Sequence, residues 1–310
     1  MRIAVLYGGV SGEREVSLST GKGVVNALQK KHHEVIEIDF NPNRLDELID
    51  LDVDLVFIGL HGKYGEDGRI QGFLDMLGIP YVGSNVLASA LAMDKAKAKQ
   101  IFANYNIPVA NSLSFQITTE TNMDQIIEQI KNTFNTPFVI KPNREGSTLG
   151  LTVVNNENEI KDALEKAIAC DDVILVEEFI DGMEITVPVL GKPGSEEALP
   201  IIEIIPKNEL YDYESKYTPG GSEHIVPARI DSETTKKIQA YAVSAHQALG
   251  CKTYSRVDFI LTKENIPVIL EVNTLPGMTP TSLFPDAAKA IGMTYDDLIE
   301  KLVELSISAS

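Results

Sequence analysis

The sequence predicts an α/β protein in which an N-terminal doubly wound parallel sheet is followed by two α+β units. Three observations carry this. In the first third, short apolar runs alternate with helical patterns, as βαβ units do. From about Lys95 the pattern changes to strand pairs joined by tight polar segments. Toward the C-terminus, residues 255–273 read as two alternating strands around a Lys-Glu-Asn turn, a hairpin pattern.

With 310 residues, 44% hydrophobic and 23% charged, the chain is too long for one core and too apolar for disorder. The expected units are 1–95, 96–185 and 186–310. Its apolar runs, such as Leu55 to Leu60, are strand-sized, and Met1-Arg2-Ile3 enters a strand without a signal-peptide pattern, so a cytoplasmic protein with no membrane partner is expected. Cys170 and Cys251 have no second Cys or His at metal spacing, which argues against disulfides and zinc. A net charge of -18 argues against nucleic acid, because phosphate backbones are held by surplus Lys and Arg.

Strands are expected at Ile3 to Tyr7, Val35 to Phe40 and Leu55 to Leu60, the first and third ending in Gly8-Gly9 and Gly59-Leu-His61-Gly62. Ligands sit at the carboxyl edge of such sheets, so both loops are site candidates. Phe138 to Lys141 and Leu151 to Val154 flank the segment PNREGSTLG, then a helix runs from Glu157 to Ala169 and strands start at Val173 and Ile185. Further on come a strand near Ile201 to Ile205, a long polar loop over 207–223, a helix over 232–249, the hairpin, and two closing helices near Asp286 and Asp296.

The hairpin is the most informative segment. Val257, Phe259 and Leu261 alternate with Arg256, Asp258 and Ile260, and Val268, Leu270 and Val272 alternate with Ile269, Glu271 and Asn273. If both apolar faces meet one core, Val257 pairs with Val272, which sets Asp258 opposite Glu271 and Arg256 opposite Asn273. Facing carboxylates are destabilising unless something positive lies between them, and a hard divalent cation suits an all-oxygen set. Asp, Glu and Asn without His or Cys favour magnesium over zinc. A surface hairpin with solvated acids, relieved by Lys263 or Arg256, is the competing reading. Asn273-Thr-Leu-Pro-Gly-Met leads into a helix, where free N–H groups beside the acids would serve an oxyanion.

The segment from Lys141 to Gly150 offers glycines, hydroxyls and amides between two strands, enough to fold over a triphosphate, although a plain hairpin loop has the same composition. It is not a Walker A sequence, and Gly8-Gly-Val-Ser-Gly lacks dinucleotide spacing. Lys95 and Lys141 are candidate phosphate cations.

The ordered set GGVSGEREVSLSTG, LHGKYGEDGRIQG, MDKAKAK, VIKPNREGSTLG, LVEEFIDGMEIT, YDYESKY, SRVDFI and LEVNTLPGMTPTSLFP resembles the D-alanine:D-alanine ligase family along essentially the whole chain. The resemblance implies an ATP-grasp fold whose two α+β units enclose ATP beside a substrate-binding N-terminal domain. It implies a homodimer that joins two D-alanine molecules for peptidoglycan precursors. By the resemblance, Lys95 and Lys141 contact ATP phosphates, Ser147 and Thr148 belong to the closing loop, Glu177 and Ile180 border the adenine, and Glu184 holds the ribose. Asp258, Glu271 and Asn273 bind two magnesium or manganese ions. Glu15 takes the first D-alanine's ammonium and joins Ser147 and Tyr217 in a network, with His61 nearby. Lys216 reaches the transferred phosphate, Arg256 and the Gly277 N–H stabilise oxyanion charge, and Ser282 receives the second carboxylate. Position 178 is Glu where many relatives carry Lys, which bears on the base contacts.

The chemistry implied is phosphorylation of one carboxylate by ATP, then attack by the second amine on the acyl-phosphate. Water exclusion would fall to the 207–223 loop, with Gly220-Gly221 as a hinge. Tyr217, absent from related ester-forming ligases, favours an amine acceptor. Another carboxylate–amine ligase of the same fold, and a catalytically silent nucleotide-binding module, are the alternatives.

Overall fold

The computed structural model describes residues 1–146, 148–206 and 222–307. Among them, the first sheet is three parallel strands in the order β2-β1-β3, built from β1 (Arg2–Gly8), β2 (Glu34–Phe40) and β3 (Leu55–Ile58). Ile3, Ala4, Val5, Leu55, Val56 and Phe57 are fully buried, so both faces are covered, as expected of parallel strands. Helix α1 (Arg14–Lys30) is the crossover, and the short α2 (Asp46–Ile49), α3 (Arg69–Leu77) and α4 (Val86–Met93) follow.

Helix α5 (Lys95–Asn104) leads into the central antiparallel sheet, order β4-β7-β5-β6, made of β4 (Ser112–Gln116), β5 (Phe138–Pro142), β6 (Thr152–Val154) and β7 (Val173–Glu178). Helices α6 (Met123–Thr133) and α7 (Ile160–Ile168) bury one face, on which Phe138, Ile140, Ile174 and Val176 meet Ile130 and Leu164. Because strand side chains alternate, Val139, Lys141, Leu175 and Glu177 occupy the other face. That parity sets the site.

The third sheet runs β11-β10-β8-β12-β13, with β9 on β8. It comprises β8 (Gly182–Gly191), β9 (Glu197–Ala198), β10 (Ile202–Pro206), β11 (Ser222–Ile225), β12 (Thr253–Thr262) and β13 (Pro267–Asn273). One face, with Val187, Val257, Phe259 and Val272, packs with Ile238 and Ala242 of α8 (Ser232–Ala248) and with Phe102 of α5. Thr186, Arg256 and Asp258 lie on the opposite face. Helix α5 touches both β4 and β13, so it spans the two antiparallel sheets.

The last helices, α9 (Leu283–Ala290) and α10 (Tyr295–Ile307), do not close the third sheet alone. Phe284, Leu298 and Leu302 join the core of the first sheet with Ile3, Leu6 and Val24. An ion pair and a hydrogen bond seam α10 to the α1 end, with Lys30 to Asp296 at 3.0 Å and His33 Nε2 to Glu300 at 2.8 Å.

His246 of α8 is fully buried, its Nδ1 2.7 Å from Ser255 Oγ of β12. Burial pushes its pKa down to about 4. A depressed folded-state pKa means the neutral ring stabilises the fold above about pH 6.5, and this is lost as pH falls toward 4. The loss from this ring reaches about 3 kcal/mol at pH 4. His246→Gln should therefore flatten the acid limb of stability by that amount, read from urea midpoints at pH 7 and 4; parallel curves for the two proteins would remove the histidine as the cause.

Candidate active site

Strands β12 and β13 pair Arg256 with Asn273, Val257 with Val272 and Asp258 with Glu271, the register that alternation predicts. Beyond Asp258 the register shifts, and Phe259 faces Ile269 rather than Leu270. This corrects the expected apolar face of Val268, Leu270 and Val272. A bulge adds one residue and reverses the parity of the strand, so Ile269 is buried with Val272 in the core while Leu270 is only partly buried. The site half of the hairpin is unaffected.

The facing acids are answered from within the protein. Arg256 donates to both oxygens of Asp258, Nε at 2.9 Å and an Nη at 2.8 Å, and Asn273 Nδ2 donates to Asp258 at 2.9 Å. Thr186 also donates to Asp258. Glu271 pairs with Lys95 at 3.1 Å. The competing hairpin reading is half right: Arg256 does relieve an acid, but the cluster is mostly buried and Lys263 pairs with Asp181 instead.

Lys95 and Lys99, one turn apart on α5, lie on one helix face. The first turn is tied to the end of β5: Asn143 Oδ1 accepts from Ala96 N at 2.8 Å, the Asn143 carbonyl accepts from Lys95 N, and Asp94 caps Lys97 N. This brings the α5 lysines beside Lys141. Glu177 holds Lys141 on one oxygen and Lys99, at 2.8 Å, on the other. Lys95 Nζ also donates to the Glu145 carbonyl at 2.8 Å. Burial works to raise the Glu177 pKa, but Lys141 and Lys99 outweigh it and hold it near 2. Burial lowers the Lys141 pKa, helped by the charges of Lys99 and Lys95, whereas for Lys95 the pull of burial is overcome by Glu271. Lys99 was missed by the sequence reading, although the four-residue spacing in MDKAKAK was its signal.

Glu177, expected at an adenine, is thus bound into the lysine cluster. Ile180 lies partly exposed just after β7, and Glu184 is partly buried on β8, opposite Ile260 and Ile204. Thr148 has a positive φ of 61°. Ser147, Lys216, Tyr217 and the Gly220-Gly221 hinge lie outside the described residues.

At the first sheet, Gly8 and Gly9 turn with positive φ, and Ser17 Oγ accepts from Gly8 N and donates to the Gly59 carbonyl, at 2.8 and 2.7 Å, tying the ends of β1 and β3 together. His61 has Nδ1 3.2 Å from the Leu275 carbonyl and Nε2 2.9 Å from Thr20 Oγ1. A carbonyl only accepts, so Nδ1 carries the proton; burial lowers the ring's pKa and keeps it neutral. Glu66 accepts from Gly62 N at 2.7 Å, and burial, then the charge of Glu13, raise its pKa to about 8.

The structure corrects Glu15. That residue is exposed in the first turn of α1, where it serves the helix dipole. Glu13, two residues earlier, turns into the cleft: a Cβ added at Gly62 would lie 3.0 Å from its carboxylate, and one at Gly146 of the phosphate loop 3.4 Å. Both acids belong to GEREVS; spacing alone did not tell which one precedes the helix.

Ser282 occupies the N-cap position of α9, where its hydroxyl accepts from Thr279 N at 3.0 Å. A Cβ at Gly277 would come within 3.2 Å of that hydroxyl, so the turn is closely packed on itself. Among the described residues no three His, Cys, Asp or Glu side chains form a metal cluster. What the hairpin presents is two carboxylates and an amide, a hard-oxygen set that fits magnesium with further oxygens from phosphates or water.

Comparison with known proteins bears on this arrangement. Residues 101–304 match the family model described as D-ala D-ala ligase C-terminus, and residues 41–84 the one described as D-ala D-ala ligase N-terminus. A D-alanine–D-alanine ligase of Halalkalibacterium halodurans is 59% identical over 99% of both chains. Among solved structures, the VanG D-Ala:D-Ser ligase of Enterococcus faecalis superposes with TM-score 0.86 at 34% identity, covering 98% of this chain and 99% of that one. A D-alanine–D-alanine ligase of Bacillus anthracis complexed with ATP gives 0.81 at 35%, covering 99% and 97%.

Proposed function

The chain belongs to the D-alanine:D-alanine ligase family, of ATP-grasp fold, and from that premise we propose that it joins two D-alanine molecules with ATP, through a D-alanyl phosphate, to supply peptidoglycan precursors. One observation carries the reading: Lys95 of α5 pairs with Glu271 of the β12–β13 hairpin and stands close enough to Lys141 of the central sheet for their like charges to interact, so carboxyl activation and phosphate binding share one cleft.

A carboxylate is a poor electrophile, and phosphorylation turns one of its oxygens into a leaving group. The first D-alanine is held by Glu13 at its ammonium, and its carboxylate attacks the γ-phosphorus, breaking the bond to the β–γ bridging oxygen so that ADP leaves, while Lys95, Lys141 and Lys216 offset the phosphate charge. Asp258, Glu271 and Asn273 would hold two magnesium or manganese ions, which when bound neutralise the developing phosphoryl charge. The ammonium of the second D-alanine, its carboxylate on Ser282, loses a proton, and the free amine attacks the acyl carbon and, through a tetrahedral oxyanion, expels inorganic phosphate. Arg256, whose guanidinium plane Asp258 fixes, and the Gly277 N–H receive the oxyanion. Ser147, Thr148 and Tyr217 would close over the site against water, with Ile180 and Glu184 at the adenosine.

Incubation with ATP, magnesium and D-alanine should yield the dipeptide by mass spectrometry, and L-alanine should yield none. D-serine and D-lactate test the acceptor, since a D-Ala:D-Ser ligase shares this fold. No phosphate release with D-alanine would overturn the reading.

Among the described residues no helix is long and apolar enough to cross a membrane, and we read the chain as cytoplasmic, acting on small molecules rather than nucleic acid. The division into units 1–95, 96–185 and 186–310 is part of the same reading. So is a homodimer, supported by exposed apolar side chains on α3 and α4, where Met76 is 80% and Leu87 66% exposed. Sedimentation equilibrium should give twice the 33.9 kDa chain mass, and a single-chain mass would dismiss the dimer.

A further inference from the structure

Three buried lysines, Lys95, Lys99 and Lys141, meet two acids, Glu177 and Glu271. Lys95 and Lys141 have roles at the phosphates; Lys99 has none so far. It is 3% exposed, and burying an ammonium is costly unless its charge is used. Its Nζ lies 2.8 Å from the Glu177 oxygen that Lys141 does not occupy. Its place is not accidental to a loose helix: the Asn143 side chain ties the first turn of α5 to the end of β5, and Asp94 caps that turn.

We propose that Lys99 is a positioning residue for nucleotide binding, holding the Glu177 carboxylate as a permanent counter-ion so that Lys141 can leave it for the polyphosphate. This rests on the ATP-dependent reading above. A buried carboxylate with a single cationic partner keeps that partner, because removing it strands an uncompensated charge in a low-dielectric site. Were Lys141 the only partner of Glu177, each phosphate contact by Lys141 would carry that penalty. With Lys99 on the second oxygen, Glu177 stays paired when Lys141 moves. Burial, together with the like charges of Lys99 and Lys95, also weakens the hold of Lys141 on its proton, consistent with an ammonium poised for a new anion.

The test is calorimetric titration of the full chain with magnesium-ADP and, separately, with adenosine, which has the base and ribose but no phosphate. Lys99→Met should weaken ADP about tenfold or more and adenosine less than about twofold. Lys99→Arg, which keeps the charge, should stay within about threefold for ADP. In Lys99→Met with Glu177→Gln, the neutral amide no longer retains Lys141, and most of the ADP affinity should return. A purely packing role would weaken both ligands alike and would not be rescued by the second change. Equal losses, no loss of ADP, or no rescue each overturn the proposal. Lys99→Gln is carried in parallel, so that a folding failure of the Met variant, seen by thermal melting, leaves the comparison intact. Because ADP is titrated without D-alanine, a negative dipeptide assay sinks the ligase reading alone, and equal losses here sink the Lys99 role alone.

Discussion

Glu271→Gln should lower kcat by about a thousandfold, some 4 kcal/mol of transition-state stabilisation, and raise the magnesium needed for half-maximal rate by about tenfold or more. Two effects combine. The hairpin loses one of its two facing carboxylates, and with it most of the field that would hold a divalent ion. Lys95 also loses the partner 3.1 Å away whose charge overcomes the effect of burial on its ammonium. Because Lys95 would then be less strongly held as a cation, extra magnesium should restore little of the rate. Steady-state kinetics with a magnesium titration at pH 7.5 checks this. A loss below about tenfold would mean the hairpin acids are structural, and the ion-binding role would have to be abandoned.

Glu13→Gln should reduce kcat/KM for D-alanine by about a hundredfold, near 3 kcal/mol, with the KM for ATP nearly unchanged. Glu15→Gln should change either constant less than about twofold. The contrast follows from where the two acids stand: Glu13 reaches toward Gly62 and the phosphate-loop Gly146, and Glu15 faces out from the first turn of α1. A second readout is available in Glu66, whose pKa near 8 owes part of its rise to the charge of Glu13. Removing that charge should move the Glu66 titration downward, observable by carbon-13 NMR of labelled glutamate. Should Glu15→Gln prove the more damaging change, the entry of the first loop into the cleft would be misassigned.

Some of the site was open to inspection before any coordinates. Alternation has a period of two, so Val257 and Val272 seeking one core were enough to set Asp258 opposite Glu271. The glycines after β1 and β3 marked the carboxyl edge of the first sheet, and the order of eight motifs pointed to the family. Other parts escaped for definite reasons. The bulge at Leu270 leaves no trace in the unbroken apolar run from Ile266 to Leu270. Lys99 drew no role from the sequence because its partner, Glu177, lies more than seventy residues away, on strand β7 of the central sheet. Glu13 and Glu15 share a motif and a charge, and only the start of α1 separates a cleft residue from a solvent-facing one.

The sequence alone therefore determined what depends on local period and motif order: the parallel first sheet, the acid hairpin and the register of its site half, and the kinship that names the chemistry. Tertiary structure alone decided which charges meet. Whether Lys95 answers Glu271, whether Glu177 is shared by Lys141 and Lys99, and whether α9 and α10 complete the first core all turn on chain segments far apart in sequence. Burial makes those encounters matter, since a charge worth little in water becomes decisive once its surroundings exclude the solvent that would screen it.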